Sequence, residues 1–300
     1  MDKNVIHRWS NPDTILVATN LADRPALMLH SISQAKASGA QVLLVHVIRP
    51  AYLSANSEEG VPFVLPSPTV HEVRAKLKDL ACEYQQNGIP CEPIALKGLP
   101  AEEIPALVKD RSVDRVLVAT RNADGVARLI EGSVAEDVMT GVDVPVCVIG
   151  RHVRAPNHDS PGSARILFAT SLKPGCEEAA HFACKVAEFL QANLTLLHVI
   201  SGKEGDAERI ASEDAVRERL ETLLEEEVDL WCKPKITIRH GDPAAEILSE
   251  TSGHLQDWII LGAPPHSSVA RVLNVGVVQN VLAEARCPVI TLKHTALLNV

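Results

Sequence analysis

The sequence predicts an α/β fold built from two tandem units, each a five-stranded parallel sheet with helices on both faces. Three observations carry this. Short runs such as Thr14–Thr19 (TILVAT) and Gln41–Ile48 (QVLLVHVI) are apolar throughout rather than alternating, as strands covered on both faces should be. Segments of helical spacing separate these runs, and the order of elements in the first half returns in the second. Finally, the stretch Asp114–Gly150 aligns without gaps on Asp257–Leu292, with Ala119 on Gly262, Arg128 on Arg271 and Pro145 on Pro288, a constant offset of 143 (262 minus 119).

In chain order, strand one is Thr14–Thr19, and Asp23-Arg24-Pro25 then opens a helix with an acidic N-cap and an early proline. Gly39 stops that helix and Gln41–Ile48 is strand two. Residues 49–68 carry four prolines (50, 62, 66 and 68) and little periodicity, so they read as a long surface loop with the makings of a lid. Val73, Leu77, Leu80 and Tyr84 share one face of the next helix, and strand three lies near Cys91–Leu96. Pro100 opens a further helix, which Pro105 is expected to distort or end early. Strand four is Asp114–Thr120, helix four runs from Ser133 to about Thr140, and Val144–Ile149 closes the unit. The second unit repeats this with Arg165–Thr170, Leu194–Ile200, a charged amphipathic helix around Val216 and Leu220, and Gly241–Ile247 answering Gly98–Ile104. Residues 1–151 and 164–300 are therefore read as two domains, and 152–163, rich in Pro, Gly, Ser and Asn, as their linker.

The 300 residues suffice for two cores of ordinary size, and 46% apolar with 22% charged content is that of a soluble globular protein. No apolar run approaches the roughly 18 residues that a membrane span needs, and no apolar segment follows the charges at the N-terminus, so the default expectation is cytoplasmic, without a membrane. A net charge of -9 argues against a general nucleic-acid binder, which needs clustered Lys and Arg. Seven cysteines, an odd number without a CxxC pair, make no disulfide framework, and Cys147 and Cys287 read as small buried hydrophobes.

The ILVAT and ILFAT first strands, the LVHVI and LLHVI second strands, GDPAAEIL, and the paired closing segments GSVAEDV…VPVCVIG and VGVVQNV…CPVITL resemble the universal stress protein family in its tandem form, over nearly the whole chain. The resemblance implies five-stranded parallel α/β domains of the Rossmann-like, adenine nucleotide alpha hydrolase-like kind. Family members commonly dimerise through their last strand, so it also implies an internal pseudo-dimer, with a further homodimer left open. Its ATP-binding branch carries a Gly-x2-Gly-x9-Gly-Ser/Thr loop after strand four, an acid after strand one, and a strand-two backbone that meets adenine. Glycines let amides approach phosphate, and a helix N-terminus adds partial positive charge.

Carried over residue by residue, the motif is broken. Repeat one has Ala119, Asn122, Gly132 and Ser133 at the four loop positions, and Asn20 in place of the acid. Asn122 tolerates the positive φ that a glycine would take, and Arg121 and Arg128 can supply charge. Thr19, Val47 and Val134 complete this candidate set, with Val47 offering its backbone to the base. Repeat two has Gly262, Pro265, Val275 and Gly276, with Ser171 after strand one and Val199 in the place of Val47. Proline donates no amide and valine crowds the phosphate step, so this is the weaker pocket.

Structural readings stand beside these. Ser133-Val134-Ala135-Glu136 is also a capping box, and Gly132 an ordinary turn glycine. Arg121, Arg128, His266 and Arg271 read equally as solvated loop residues, and His46 and His198 as core histidines bonded to backbone. Cys176, His181 and Cys184 lack an evident fourth zinc ligand. There is no GxxxxGK[ST], no GxGxxG after the first strand, no GxSxG and no HExxH. The expectation is a stress-response regulatory protein binding an adenine nucleotide, ATP with Mg2+ as its companion, chiefly in repeat one, and acting on an unknown protein partner without fast chemistry. The alternatives are a scaffold whose sites have decayed and a slow ATPase.

Overall fold

The computed structural model describes residues 8–21, 25–49, 53–54, 63–64, 68–120, 134–156, 164–173, 175–201, 206–224, 233–253, 257–263 and 270–293. The first half runs β1 (Thr14–Ala18), α1 (Pro25–Ser38), β2 (Gln41–Ile48), β3 (Leu53–Ser54), β4 (Phe63–Val64), α2 (Val70–Gln86), β5 (Cys91–Lys97), α3 (Pro100–Asp110), β6 (Arg115–Ala119), α4 (Val134–Gly141) and β7 (Val146–Ile149). The second runs β8 (Arg165–Ala169), α5 (Cys176–Leu190), β9 (Asn193–Ile200), α6 (Asp206–Glu221), β10 (Lys235–His240), α7 (Pro243–Gly253), β11 (Trp258–Ala263), α8 (Ala270–Glu284) and β12 (Val289–Lys293). Within the proline-rich stretch, β3 and β4 pair antiparallel, and most of the rest of it lies outside the described residues.

The two expected sheets are joined into one of ten strands, in the order β10-β9-β8-β11-β12-β7-β6-β1-β2-β5. Pairing is parallel within each half. Within this sheet it is antiparallel only at the seam, where Val289, Ile290 and Thr291 face Val148, Cys147 and Val146. The last strand of each unit thus finds its partner within the chain, which makes the internal pseudo-dimer.

Side chains alternate across each strand, so Ile15 and Val17 enter one core while Leu16 and Ala18 enter another. On one face a single core crosses the seam, taking Val116 and Val148 from the first half and Ile259, Val281 and Val289 from the second. Here α4 packs across the seam onto β12. On the other face the core divides, with α1 over β1 and β6, and α5 over β8, β9 and β11.

Proline at position 105 neither ends nor shortens α3, which continues to Asp110. The helix forfeits one backbone bond there, and the ring is used in packing: a Cβ on Gly141 would stand 2.8 Å from Pro105 Cγ, so α4 lies directly on it. Two carboxylates, Asp114 buried and Asp257 half-buried, register the strands at their starts. Asp114 Oδ2 accepts the amides of Asp13 and Thr14 at 2.9 Å each, and Asp257 Oδ2 accepts that of Arg165 at 2.8 Å.

The outer edges are guarded differently. β5 contains Pro93, which donates no ladder bond, and β10 carries Lys235 and Arg239, both reaching Glu250 on α7 at 3.3 and 2.6 Å. Burial acts to raise the Glu250 carboxyl, but the bonds from Arg239 and Lys235 outweigh it and hold the group below its ordinary value. Among the described residues no helix is long and apolar enough to cross a membrane.

The segment after β7 is bound to the second half: Arg154 N donates to Arg286 O at 3.1 Å, and Arg151 Nη2 meets Glu284 Oε1 at 2.6 Å. Gly150 is what lets it approach, because a Cβ there would fall 2.6 Å from the backbone oxygen of Leu282. Gly150→Ala is expected to destabilise the protein by about 1–3 kcal/mol, read as a lower denaturant midpoint at unchanged slope.

Candidate functional site

In each half the chain leaves the first strand outward to the second and later returns to place the fourth strand on the other side, so the topological switch point lies between β1 and β6, and between β8 and β11. Ligands of open parallel sheets bind there, beyond the carboxyl ends of the strands.

β1 ends at Ala18, opposite Val45, whereas β2 runs on to Ile48, still paired with β5. Thr19 N donates to Val45 O at 2.9 Å. Peptide groups along a strand turn alternately to its two sides, so the peptide groups of Val47 face the same way as those of Val45, into the gap that β1 has vacated. Two hydrogen bonds and a positive φ turn the departing chain aside. Thr19 Oγ1 accepts Leu21 N at 2.9 Å, Leu21 takes φ of 66°, and Thr19 O accepts the Nδ1–H of His46 at 2.8 Å.

Repeat two reproduces each part. Thr170 N donates to Leu197 O at 3.0 Å, Thr170 Oγ1 accepts Leu172 N at 3.1 Å, Leu172 has φ of 54°, and His198 Nδ1–H reaches Thr170 O at 2.8 Å. Val199 therefore presents its peptide groups as Val47 does. His46 and His198 hold the strand exits through a carbonyl, as core histidines should. Asn20 and Ser171, in the places of the expected acids, are both exposed just past the strand ends.

Across the switch point β6 delivers Ala119, half-buried, and Thr120, whose amide donates to Ile149 O at 3.1 Å. Arg121, Asn122, Arg128, Gly132 and Ser133 lie outside the described residues. The helix beyond them starts at Val134, with Glu136 and Asp137 in its first turn. Arg49, just past β2, reaches Asp137 Oδ2 at 3.4 Å and ties that helix start to the exit of β2. No motif marked Arg49 in the sequence. Its signal was only a cation at the end of a buried strand.

The second loop differs. Gly262 ends up on β11, paired with Leu292 and exposed, and a Cβ there would meet only Ala179 at 3.8 Å. Gly276 was expected at a helix start, but α8 begins at Ala270 and holds Gly276 in its interior. The residue aligned with Val134 is Val277 (134 plus 143), which α8 likewise holds in its interior. Nothing stops it later: glycine at 276 offers no capping hydroxyl, and Ala270 to Val275 contain no proline. The amide of Gly276 is accordingly spent inside the helix.

Burial pushes the His30 imidazole down, against the opposing bond from its Nε2 to Arg154 O at 2.7 Å. It pushes His198 down as well, against the bond to Thr170 and with help from Arg219. Cys176, at the first turn of α5, has its thiol raised by burial and by Glu177, which makes it a poor nucleophile. Among the described residues no group of three or more His, Cys, Asp or Glu is placed to hold a metal.

A sequence profile of the Universal stress protein family matches residues 12–150 and again 163–293. The chain belongs to the universal stress protein family. Universal stress protein YxiE of Bacillus subtilis (strain 168) is 28% identical over 144 residues, 45% of this chain and 97% of that protein. A universal stress protein from Archaeoglobus fulgidus DSM 4304 has a crystal structure matching with TM-score 0.63 at 20% identity, over 95% of this chain and 97% of its own. The protein PA1789 from Pseudomonas aeruginosa PAO1, described as functionally unknown, matches with TM-score 0.62 at 15% identity, over 96% and 95%. Single-repeat relatives align on one half of this universal stress protein, and these two structures align on both.

Two outcomes follow for this site. Because Gly276 is a helix-interior glycine with nothing within 4 Å of its would-be Cβ, Gly276→Ala should stabilise the protein by about 0.5–1 kcal/mol in denaturant unfolding. His30 and His198 have folded values below the unfolded one, so the unfolded chain binds more protons and stability falls as pH drops through about 6.5, levelling off below the folded values. His30→Gln should flatten the slope of unfolding midpoint against pH over that window.

Proposed function

We propose that this universal stress protein binds one adenine nucleotide, ATP in the first instance, in the crevice of its first repeat, and that it acts as a cytoplasmic regulatory binding module without fast chemistry. The observation behind this reading is the overrun of β2 past β1, which offers the amide and carbonyl of Val47 at the switch point as a donor and acceptor pair. That pair suits the edge of adenine, whose ring nitrogen accepts and whose amino group donates. Thr19 and Asn20 border the same gap and suit the ribose. Ala119 leads into the loop in which Arg121, Asn122, Gly132 and Ser133 would meet phosphate, ending at the α4 start marked by Val134. Amides and the positive helix end would neutralise charge there, with Mg2+ as companion to the phosphates.

Repeat two keeps the base-side half of this arrangement in Ser171, Val199 and Gly262. Its helix begins at Ala270 and takes Gly276 into its interior, which favours a stoichiometry of one nucleotide per chain. The same feature, together with the missing acids at positions 20 and 171, motivates the second reading, a scaffold for a protein partner in which neither crevice is used.

Calorimetry with ATP distinguishes the two. Saturable binding at a ratio near one is expected, weakened about tenfold or more by Gly132→Val and unchanged by Gly276→Ala. No heat of binding and no rise in melting temperature at millimolar ATP would overturn the nucleotide reading in favour of the scaffold. Phosphate release above a protein-free control, lost in Ser133→Ala, would make the protein a slow ATPase instead.

A further inference from the structure

Trp9 belongs by sequence to the N-terminus, yet it is buried in the core of the second half, at 2% exposure. Its ring stands edge-on to Phe182 of α5 at 5.0 Å between centroids and to Trp258 of β11 at 6.2 Å, separations at which aromatic pairs attract. Its other partner comes from the first half. The Arg115 guanidinium, on β6, lies 4.2 Å from the ring centroid, and its Nη2 donates to the Trp9 carbonyl. Arg115 Nη1 is held in turn by Gln34 Oε1 of α1 at 2.8 Å. One residue earlier, Arg8 Nη2 meets Asp114 Oδ1 at 2.5 Å and donates to Ser112 O at the same distance.

We propose that the helical residues Arg8–Ser10 form a clasp that fastens the two repeats together on the α1/α5 face of the seam, with Trp9 as the element shared by both. On the opposite face one continuous core already joins the halves, whereas on this face there are two cores, with Trp258 packed against both and Trp9 against it. Trp9 touches Arg115 on one side of the divide and Phe182 and Trp258 on the other, so it is placed to close it.

The clasp is also built to open. Trp9 Nε1, Ser10 Oγ and Arg115 Nε are buried without a hydrogen-bond partner among the described residues. Unmatched buried polar atoms weaken a contact relative to a fully apolar one, so release of this short segment is a smaller event than unfolding either repeat. Burial pushes the Arg115 guanidinium down to about 10, and it remains charged over the Trp9 ring at neutral pH. A charge kept dry depends on the ring that covers it, so opening the clasp lets water reach Arg115 in one repeat and Phe182 in the other.

The test is native-state hydrogen exchange on the full-length Trp9→Ala chain. Amides of β6 and β11, which lie in different repeats, should exchange about tenfold or more faster together, while those of the outlying β2 and β9 stay as in the wild type. Phe168→Ala serves as the control, since Phe168 is fully buried in the second half and should loosen that half alone. Acceleration confined to one repeat, or none, overturns the clasp. Should Trp9→Ala fail to fold, Arg115→Met, which keeps the volume and removes the cation over the ring, is read in the same way: paired acceleration of β6 and β11 supports the clasp and an unpaired response overturns it.

Discussion

The antiparallel ladder between β7 and β12 is the interaction on which the rest depends. A parallel five-stranded sheet ends in a strand whose outer peptide groups need partners, and an exposed row of them invites pairing with another chain. Here each such strand satisfies the other within one molecule. Covalent linkage keeps the two edges at high effective concentration, so the pairing does not rely on meeting a second copy. The seam then sets local requirements: α4 must lie across onto β12, Gly150 must lack a side chain where it meets Leu282, and the segment after β7 must bond to Arg286 and Glu284. With the inner edges consumed, β5 and β10 are the outer edges of the sheet among the described residues, and proline on one and Lys235 and Arg239 on the other discourage further strand addition.

Duplication left the two halves alike where they serve the backbone and unlike where they would serve a ligand. Thr19 with His46 and Thr170 with His198 perform the same task, fixing how the chain leaves its first strand. Asp114 and Asp257 register the strand starts in the same way. These are requirements of the fold, and each copy has to meet them. The helix after the fourth strand answers to no such requirement. In the second copy it begins at Ala270 and takes Gly276 into its interior. Arg49 and its contact to Asp137 are likewise confined to the first copy, where Ser201 follows the equivalent strand of the second.

Much of the architecture was legible because buried parallel strands are apolar throughout and because every pattern occurred twice. The strand-two histidines could be read as structural from their matched places alone, and the structure supplies the carbonyls they hold. Helix limits were less legible, since they depend on tertiary partners. Pro105 looked like a terminator until the packing of Gly141 against its ring became visible, and Gly276 looked like a helix start because the repeat alignment assumed equal loops. Trp9 was not legible at all. A lone tryptophan in a polar N-terminal segment carries no periodicity, and its partners Arg115, Phe182 and Trp258 are remote in sequence.

Antiparallel pairing at the seam also fixes a direction. Within the ten-stranded sheet, the five strands of the first half point one way and the five of the second the opposite way, so the carboxyl ends of β1 and β6 lie at one rim and those of β8 and β11 at the other. The two mouths therefore open back to back. Whatever occupies one is separated from whatever occupies the other by the length of the strands. Two visitors would approach from opposite poles, with the ladder and the core that crosses the seam between them.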